Sequence, residues 1–191
     1  MDEATVRKII QEELKKSKFL ESQIAFNTAI GHNHNGKNSR GMIIASGFKA
    51  YLSSNQLNFT DDSWITVQFD TEDFDVNNDF NTNTYTFIAP ATGYYYLAAT
   101  VLFIGGTVID AGGGATGRYA IRLFKNSTTS IASYNNHAGS TDFLSTGTGG
   151  IFLLNKNDTV VAQVKCDVGA STVDVSAGLD SSWFEGCFIG I

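Results

Sequence analysis

The 191 residues are 42% hydrophobic and 12% aromatic, enough apolar material for the core of one domain, which excludes wholesale disorder. Thirteen Lys and Arg against nineteen Asp and Glu leave a net charge of −6, the wrong sign for binding by phosphate neutralisation, so nucleic acid is not an expected partner. Nineteen Gly and a single Pro, with Thr, Val, Phe and Tyr plentiful, describe many strands joined by Gly/Asn turns rather than a helical protein.

Charge density breaks near residue 24: the first 24 residues hold ten charged side chains, five of each sign, and the remaining 167 hold 22. In this first segment Val6, Ile10, Leu14 and Ile24 recur at helical spacing, with Ile9 and Leu20 beside them and Lys, Glu and Gln on the other face. The pattern predicts an amphipathic helix over about 3–26 within an N-terminal piece 1–28. A heptad seam through it would contain Glu13 and Ser17, so a long coiled coil is not specified. A short helix is marginal alone in water, and this one needs a partner: its own copies, a groove on another protein, or its own domain. Residues 1–20 lack the apolar core and cleavage site of a secretory signal. No apolar run reaches the 18 residues of a membrane span, so no membrane insertion is expected.

Residues 29–42 are polar and turn-rich, contain His32 and His34, and read as a neck. From 43 to 191 period-two alternation takes over. It predicts strands over 46–53, 64–68, 84–88, 93–103, 118–125, 127–136, 146–154, 159–166, 174–179 and 182–191. Turn residues at Pro90-Ala91-Thr92-Gly93, Lys125-Asn126 and Asn155-Lys156-Asn157-Asp158 separate several of them. The fold class is all-β, a sandwich or jelly roll.

The order of certain segments carries a resemblance. Gly47-Phe48-Lys49-Ala50-Tyr51-Leu52, Val67-Gln68-Phe69-Asp70, Tyr85-Thr86-Phe87-Ile88-Ala89-Pro90-Ala91-Thr92-Gly93-Tyr94-Tyr95-Tyr96, Arg122-Leu123-Phe124-Lys125-Asn126, Gly150-Ile151-Phe152-Leu153-Leu154-Asn155 and Trp183-Phe184-Glu185-Gly186-Cys187-Phe188 together resemble complement C1q-like globular heads of bacteria and phages. The resemblance implies a ten-stranded TNF/C1q-like jelly roll, assembled as a tight parallel homotrimer. Its first and last strands would be neighbours, with Phe48, Ala50 and Leu52 near Phe184, Gly186 and Phe188. The cluster Tyr94-Tyr95-Tyr96 would serve both the core and a subunit interface. The Gly-rich stretch 105–117, including Asp110 and Gly113, departs from the family pattern and reads as an exposed loop. In the neck, Gly31-His32-Asn33-His34-Asn35-Gly36-Lys37-Asn38-Ser39 is similar to stretches that precede distal domains in phage virion and tail-fibre proteins.

These readings set the candidate sites. His32 and His34 are two apart, so an extended chain puts both on one face. On the axis of an implied trimer they would supply six imidazoles, a set suited to Fe or another divalent transition metal; a surface turn with solvated histidines is the alternative. Asp70, Glu72, Asp73, Asp75 and Asp79 crowd one segment without the spacing of an EF-hand, so solvated loop carboxylates are expected rather than calcium. Cys166 and Cys187 either form one bridge or remain buried free thiols. No nucleophile and base stand in an informative pattern around His137, and the expectation is a protein that is not an enzyme. Ligand contacts are expected from loops carrying Asp110 and Gly113, and Tyr134 and His137.

The function expected is that of a virion appendage, a head or tail fibre of a phage located on the particle surface. Its N-terminal segment would join other virion proteins, and its knob would bind a host-surface glycan or protein multivalently. The alternative is a bacterial surface or spore-coat protein with the same trimeric head.

Overall fold

Alternating apolar and polar side chains become thirteen strands among the described residues, arranged in two antiparallel sheets. The computed structural model describes residues 46–59, 63–104, 117–138, 143–167 and 173–190, together with Thr5, which is helical. The chain clusters into two units, Met1–Ile44 and Ala45–Ile191. Apart from Thr5, the expected helix over 3–26 with Val6, Ile10, Leu14 and Ile24 lies outside the described residues. So do His32 and His34 of the neck, and Asp110 and Gly113.

The first sheet contains β1 (Gly47–Tyr51), β2 (Gln56–Phe59), β4 (Thr71–Asp75), β7 (Gly93–Ile104), β10 (Phe143–Leu154), β12 (Val173–Val175) and β13 (Trp183–Gly190). The second contains β3 (Ile65–Thr66), β5 (Phe80–Asn81), β6 (Thr86–Ile88), β8 (Gly117–Lys125), β9 (Thr129–Ala138) and β11 (Thr159–Asp167). In the first, β10 pairs with one edge of β7 along its whole length, while β13 and then β12 pair with the other edge. β1 lies between β13 and β4, with Phe48 opposite Gly186 and Ala50 opposite Phe184. The first and last strands of the domain are therefore neighbours, as the resemblance implied.

The two sheets close on an aromatic core. Phe48, from the first sheet, stacks on Phe80 and Phe87 from the second, each with ring centroids 5.0 Å away, and meets Phe184 edge-on at 5.0 Å. Burying each such ring contributes about 1.5–3 kcal/mol relative to exposure, and the stacked and edge-on geometries are those that aromatic quadrupoles favour. Tyr95 is fully buried, and its hydroxyl donates to the Ala91 carbonyl at 2.7 Å. Gly186 is required by this packing, because a Cβ there would stand 2.4 Å from Leu97 Cδ2 and 2.9 Å from Phe48 Cε1.

Turns follow their residues. Asn126 and Ser127 have φ of 50° and 54°, the left-handed pair at the centre of a type I′ turn, and the Thr128 amide donates to the Lys125 carbonyl. Beside this hairpin, Asp158 ends the turn from β10 to β11. Its Oδ1 accepts from Asn126 Nδ2 at 2.7 Å, and its Oδ2 accepts from the Asn155 amide at 2.8 Å and lies 2.6 Å from Lys125 Nζ. Burial pulls this carboxyl up, but the bonds from Asn126, Lys125 and the Asn155 amide, with the Lys125 charge, outweigh burial and lower it to about 2.

Several expectations are corrected here. Thirteen strands replace ten, because β2, β4 and β5 were not legible. β4, with sequence TEDFD, is an edge strand on β1, where charged side chains are tolerated because one flank faces solvent. Glu72, Asp73 and Asp75 accordingly lie on a strand rather than in a loop, while Asp70, Glu72 and Asp73 are solvent-exposed as expected. Asp70 accepts from the Ser53 amide and hydroxyl. Asp75 accepts from the amides of Asn77, Asp79 and Phe80, and buried Asp79 accepts from Ser46 Oγ. Burial, joined by the charge of Asp75, raises the Asp79 carboxyl against the opposing bond from Ser46. The cysteines do not bridge: buried Cys166 is on β11 of the second sheet and exposed Cys187 on β13 of the first. Finally, β9 runs through Ala138, so Tyr134 and His137 lie on a strand held by β8 rather than on a loop.

Candidate functional site

Strand alternation assigns each side chain of the first sheet to the core or to the opposite, outward face. Along β7 the odd residues 95, 97, 99, 101 and 103 are buried, which sends Tyr94, Tyr96, Ala98, Thr100 and Leu102 outward. The register carries this face across three strands. Ile151 of β10, Tyr96 of β7 and Cys187 of β13 form one row, and Leu153 and Tyr94 lie in the next.

The outward face is apolar at the end where β1 begins and β13 finishes. Tyr94 is 48% exposed, Tyr96 39%, Ile151 64%, Leu153 58% and Ile189 47%. Isolated apolar side chains on a surface need no explanation, but side chains adjacent by register form a patch, and patches of this kind mark interaction surfaces. Tyr is among the residues enriched at interface centres, where Lys, Glu and Asp are depleted.

Beyond the patch the face is flat. Gly149 lies opposite Ala98, and Gly147 opposite Thr100. A Cβ on Gly149 would stand 2.8 Å from both Ala98 Cβ and the Leu97 carbonyl oxygen, and one on Gly147 would stand 2.7 Å from Thr100 Oγ1. Glycine at 147 and 149, opposite the short side chains of Thr100 and Ala98, leaves this band without large projecting side chains. Toward β1 the face becomes polar: Lys49 pairs with Glu185 at 3.8 Å and places its ammonium 5.1 Å from the centroid of the Trp183 ring. Both partners retain solvent contact, so this pair contributes about 0–1 kcal/mol and acts as a charged border to the apolar patch.

On the second sheet the outward face is different in kind. Arg122 lies between two rings, with its guanidinium carbon 4.2 Å from the Trp64 centroid and 3.9 Å from that of Phe124. It donates to Gln163 Oε1 from Nε and Nη2 at 2.9 and 2.6 Å, and Gln163 donates onward to Thr66. Burial lowers the guanidinium's pKa. This stack fixes Trp64 against the sheet.

Of the residues proposed for ligand binding from sequence, Tyr134 is exposed on β9, opposite Ile121 of β8, and His137 stands opposite Arg118. His32, His34, Asp110 and Gly113 lie outside the described residues. Sequence reading anticipated that the Tyr94-Tyr95-Tyr96 cluster faces both the core and the surface, but passed over Ile151, Leu153 and Ile189. Their alternation with buried neighbours was visible; the partner strands that gather them into one patch were not.

The sequence model of the C1q domain matches residues 47–189. Among solved structures, the globular domain of zebrafish complement 1qA protein is similar at 19% identity and TM-score 0.50, over 75% of this chain and 97% of that one. Murine APRIL at pH 5.0 is similar at 12% identity and TM-score 0.55, over 76% of this chain and 99% of that one. No curated protein matches the sequence. At such identities the structural likeness speaks for the fold alone, and the two-sheet topology with adjacent first and last strands agrees with it. The family match over most of the chain is decisive: this protein belongs to the C1q domain family.

Proposed function

We propose that the chain is the subunit of a homotrimeric, non-enzymatic binding head carried on a virus particle. The observation that carries the assembly is the apolar patch of Tyr94, Tyr96, Ile151, Leu153 and Ile189 beside the flat Gly147 and Gly149 band. Three copies packed around a threefold axis through this face would remove the patch from water and leave the second sheets outermost, available to a ligand. Exposed apolar area of this kind is stabilised by burial at about 25 cal/mol per Å².

The role on a virion is supported by the neck sequence at His32 and His34 and by the multivalency a trimer provides. Three weak sites, displayed many times on one particle, give strong attachment through effective concentration. The N-terminal segment, with Val6, Ile10, Leu14 and Ile24, would join the head to other virion proteins, and a host-surface glycan or protein would be the ligand. On a threefold axis His32 and His34 would offer a site for Fe or another divalent transition metal.

The test is attachment by purified full-length protein to host cells, compared with a Tyr96→Glu/Ile151→Glu variant. Charge placed in the patch breaks the assembly and is expected to lower cell binding at least tenfold through lost avidity. Equal binding by a monomeric variant would refute the multivalent mechanism. Detection of the chain by mass spectrometry in purified particles tests the virion assignment, and its absence there would refute it.

A further inference from the structure

On the outward face of the second sheet, four separate chain segments build a cavity of about 170 Å³ lined by Trp64, Arg118, Ala120, Asn135, Lys165 and Asp167. Its position follows from the register. Ala120 of β8 is flanked across the sheet by Asn135 of β9 and Lys165 of β11, and two residues along β8, Arg118 faces Asp167. On this face of β8 a small alanine separates two arginines, Arg118 and Arg122, and the depression is the missing side-chain volume at Ala120. Trp64, held by its stack on Arg122, supplies a wall.

We infer that this cavity is a binding site for one carboxylate-bearing sugar unit, such as a hexuronic acid residue at the end or edge of an acidic glycan. The size fits a fragment: it is well below the ~300–1,000 Å³ of sites that enclose a drug-sized ligand. The chemistry is more selective. Arg118 and Lys165 are cationic, and a guanidinium matches a carboxylate through two parallel N–H donors. No ion pair to Arg118 forms among the described residues, so its donors are available.

A bare carboxylate such as acetate is the poorer fit, because it would engage Arg118 but bring no hydroxyl donor to Asp167. An ionised Asp only accepts hydrogen bonds, and an Asn amide both donates and accepts. Asp167 and Asn135 therefore suit a ligand that brings hydroxyl donors along with its acid. Trp64 offers an apolar ring surface beside these polar groups, the combination of one aromatic wall with a few directed polar side chains that orients small ligands. An acidic peptide side chain would likewise engage Arg118 without bringing a hydroxyl donor to Asp167.

The inference names the ligand class for the binding role proposed above, but a monosaccharide needs no avidity, so its test is independent of assembly. Full-length protein is titrated with methyl β-D-glucuronide, methyl β-D-glucoside, acetate and a short acidic peptide, followed by ligand-observed NMR, with the oligomeric state recorded by light scattering. Saturable binding of the glucuronide at least tenfold tighter than that of the other three is expected. Arg118→Gln, an exposed position, is expected to reduce glucuronide affinity to that for the glucoside, and Asn135→Ala to weaken it severalfold, both with unchanged circular dichroism. No saturable binding, equal binding of acetate, tighter binding of the peptide, or an unaffected Arg118→Gln variant each overturns the inference, whatever the scattering shows for assembly.

Discussion

Asp158 offers a direct test of how the β8–β9 hairpin is tied to the turn between β10 and β11. Asp158→Ala removes one acceptor from three donors: the Asn126 amide, the Asn155 backbone N–H and the Lys125 ammonium. A hydrogen bond to a charged group contributes about 1.5–3 kcal/mol when buried, but Lys125 and Asn126 can turn toward water once released, so the total loss is about 2–4 kcal/mol. For a chain of this size each kcal/mol moves the melting temperature by about 2–4 °C, giving a fall of about 4–16 °C at neutral pH. The assay is thermal unfolding by circular dichroism at matched protein concentration. Because the folded carboxyl is held near about 2, below its usual 3.8, the stabilisation is complete above pH ~4 and is lost as the pH falls through the folded value. The gap between wild type and variant should therefore be constant from pH 7 to 5 and narrow steadily below pH 4. A gap under about 2 °C at pH 7, or one that does not narrow in acid, would refute the reasoning.

Other outcomes follow from the same packing. Phe184→Ala opens a cavity among Phe48, Phe69 and Phe80 and is expected to cost about 3–5 kcal/mol in denaturant unfolding; a loss below about 1 kcal/mol would contradict the aromatic core. Gly186→Leu, which must displace Leu97 and Phe48, is expected to abolish soluble expression, and a folded variant of wild-type stability would contradict the β1 and β13 register. Thiol titration of the native protein is expected to find Cys166 protected, because it is buried on β11. Cys187, in the row with Tyr96 and Ile151, should react slowly in the assembled protein and quickly in the Tyr96→Glu/Ile151→Glu variant. Equal rates in both would remove Cys187 from the interface.

The long central strands were legible because their inward-facing residues recur with period two, an alternation that in β7 is interrupted by buried Ala98. Tyr94, Tyr95 and Tyr96 lie consecutively in β7, and only the middle one is buried, as the period-two reading and the family resemblance together implied. β4 was hidden because Thr71, Glu72, Asp73 and Asp75 carry no apolar period, and its pairing to β1 is a tertiary event. The predicted strand 127–136 stopped two residues short of the end of β9, and Tyr134 and His137 were also assigned to a loop because Asn135 and Asn136 are turn formers; pairing to Ala120 and Tyr119 overrides that preference. The cavity of the second sheet was beyond a linear reading, since its residues run from Trp64 to Asp167 and meet only through the register of β8, β9 and β11. The sequence reading did reach β9 at Tyr134 and His137, on either side of Asn135, without the means to see which residue of that strand lines a cavity.

The central claim is that the apolar face of the first sheet is covered by other copies of this chain. Light scattering coupled to size exclusion, on full-length protein and on the Tyr96→Glu/Ile151→Glu variant, tests it most directly. Wild type is predicted to elute with three times the 20.6 kDa mass of one chain, and the variant as a folded species of lower mass. A wild-type protein that remains a stable monomer across micromolar concentrations, or a variant that still forms the trimer, would contradict it.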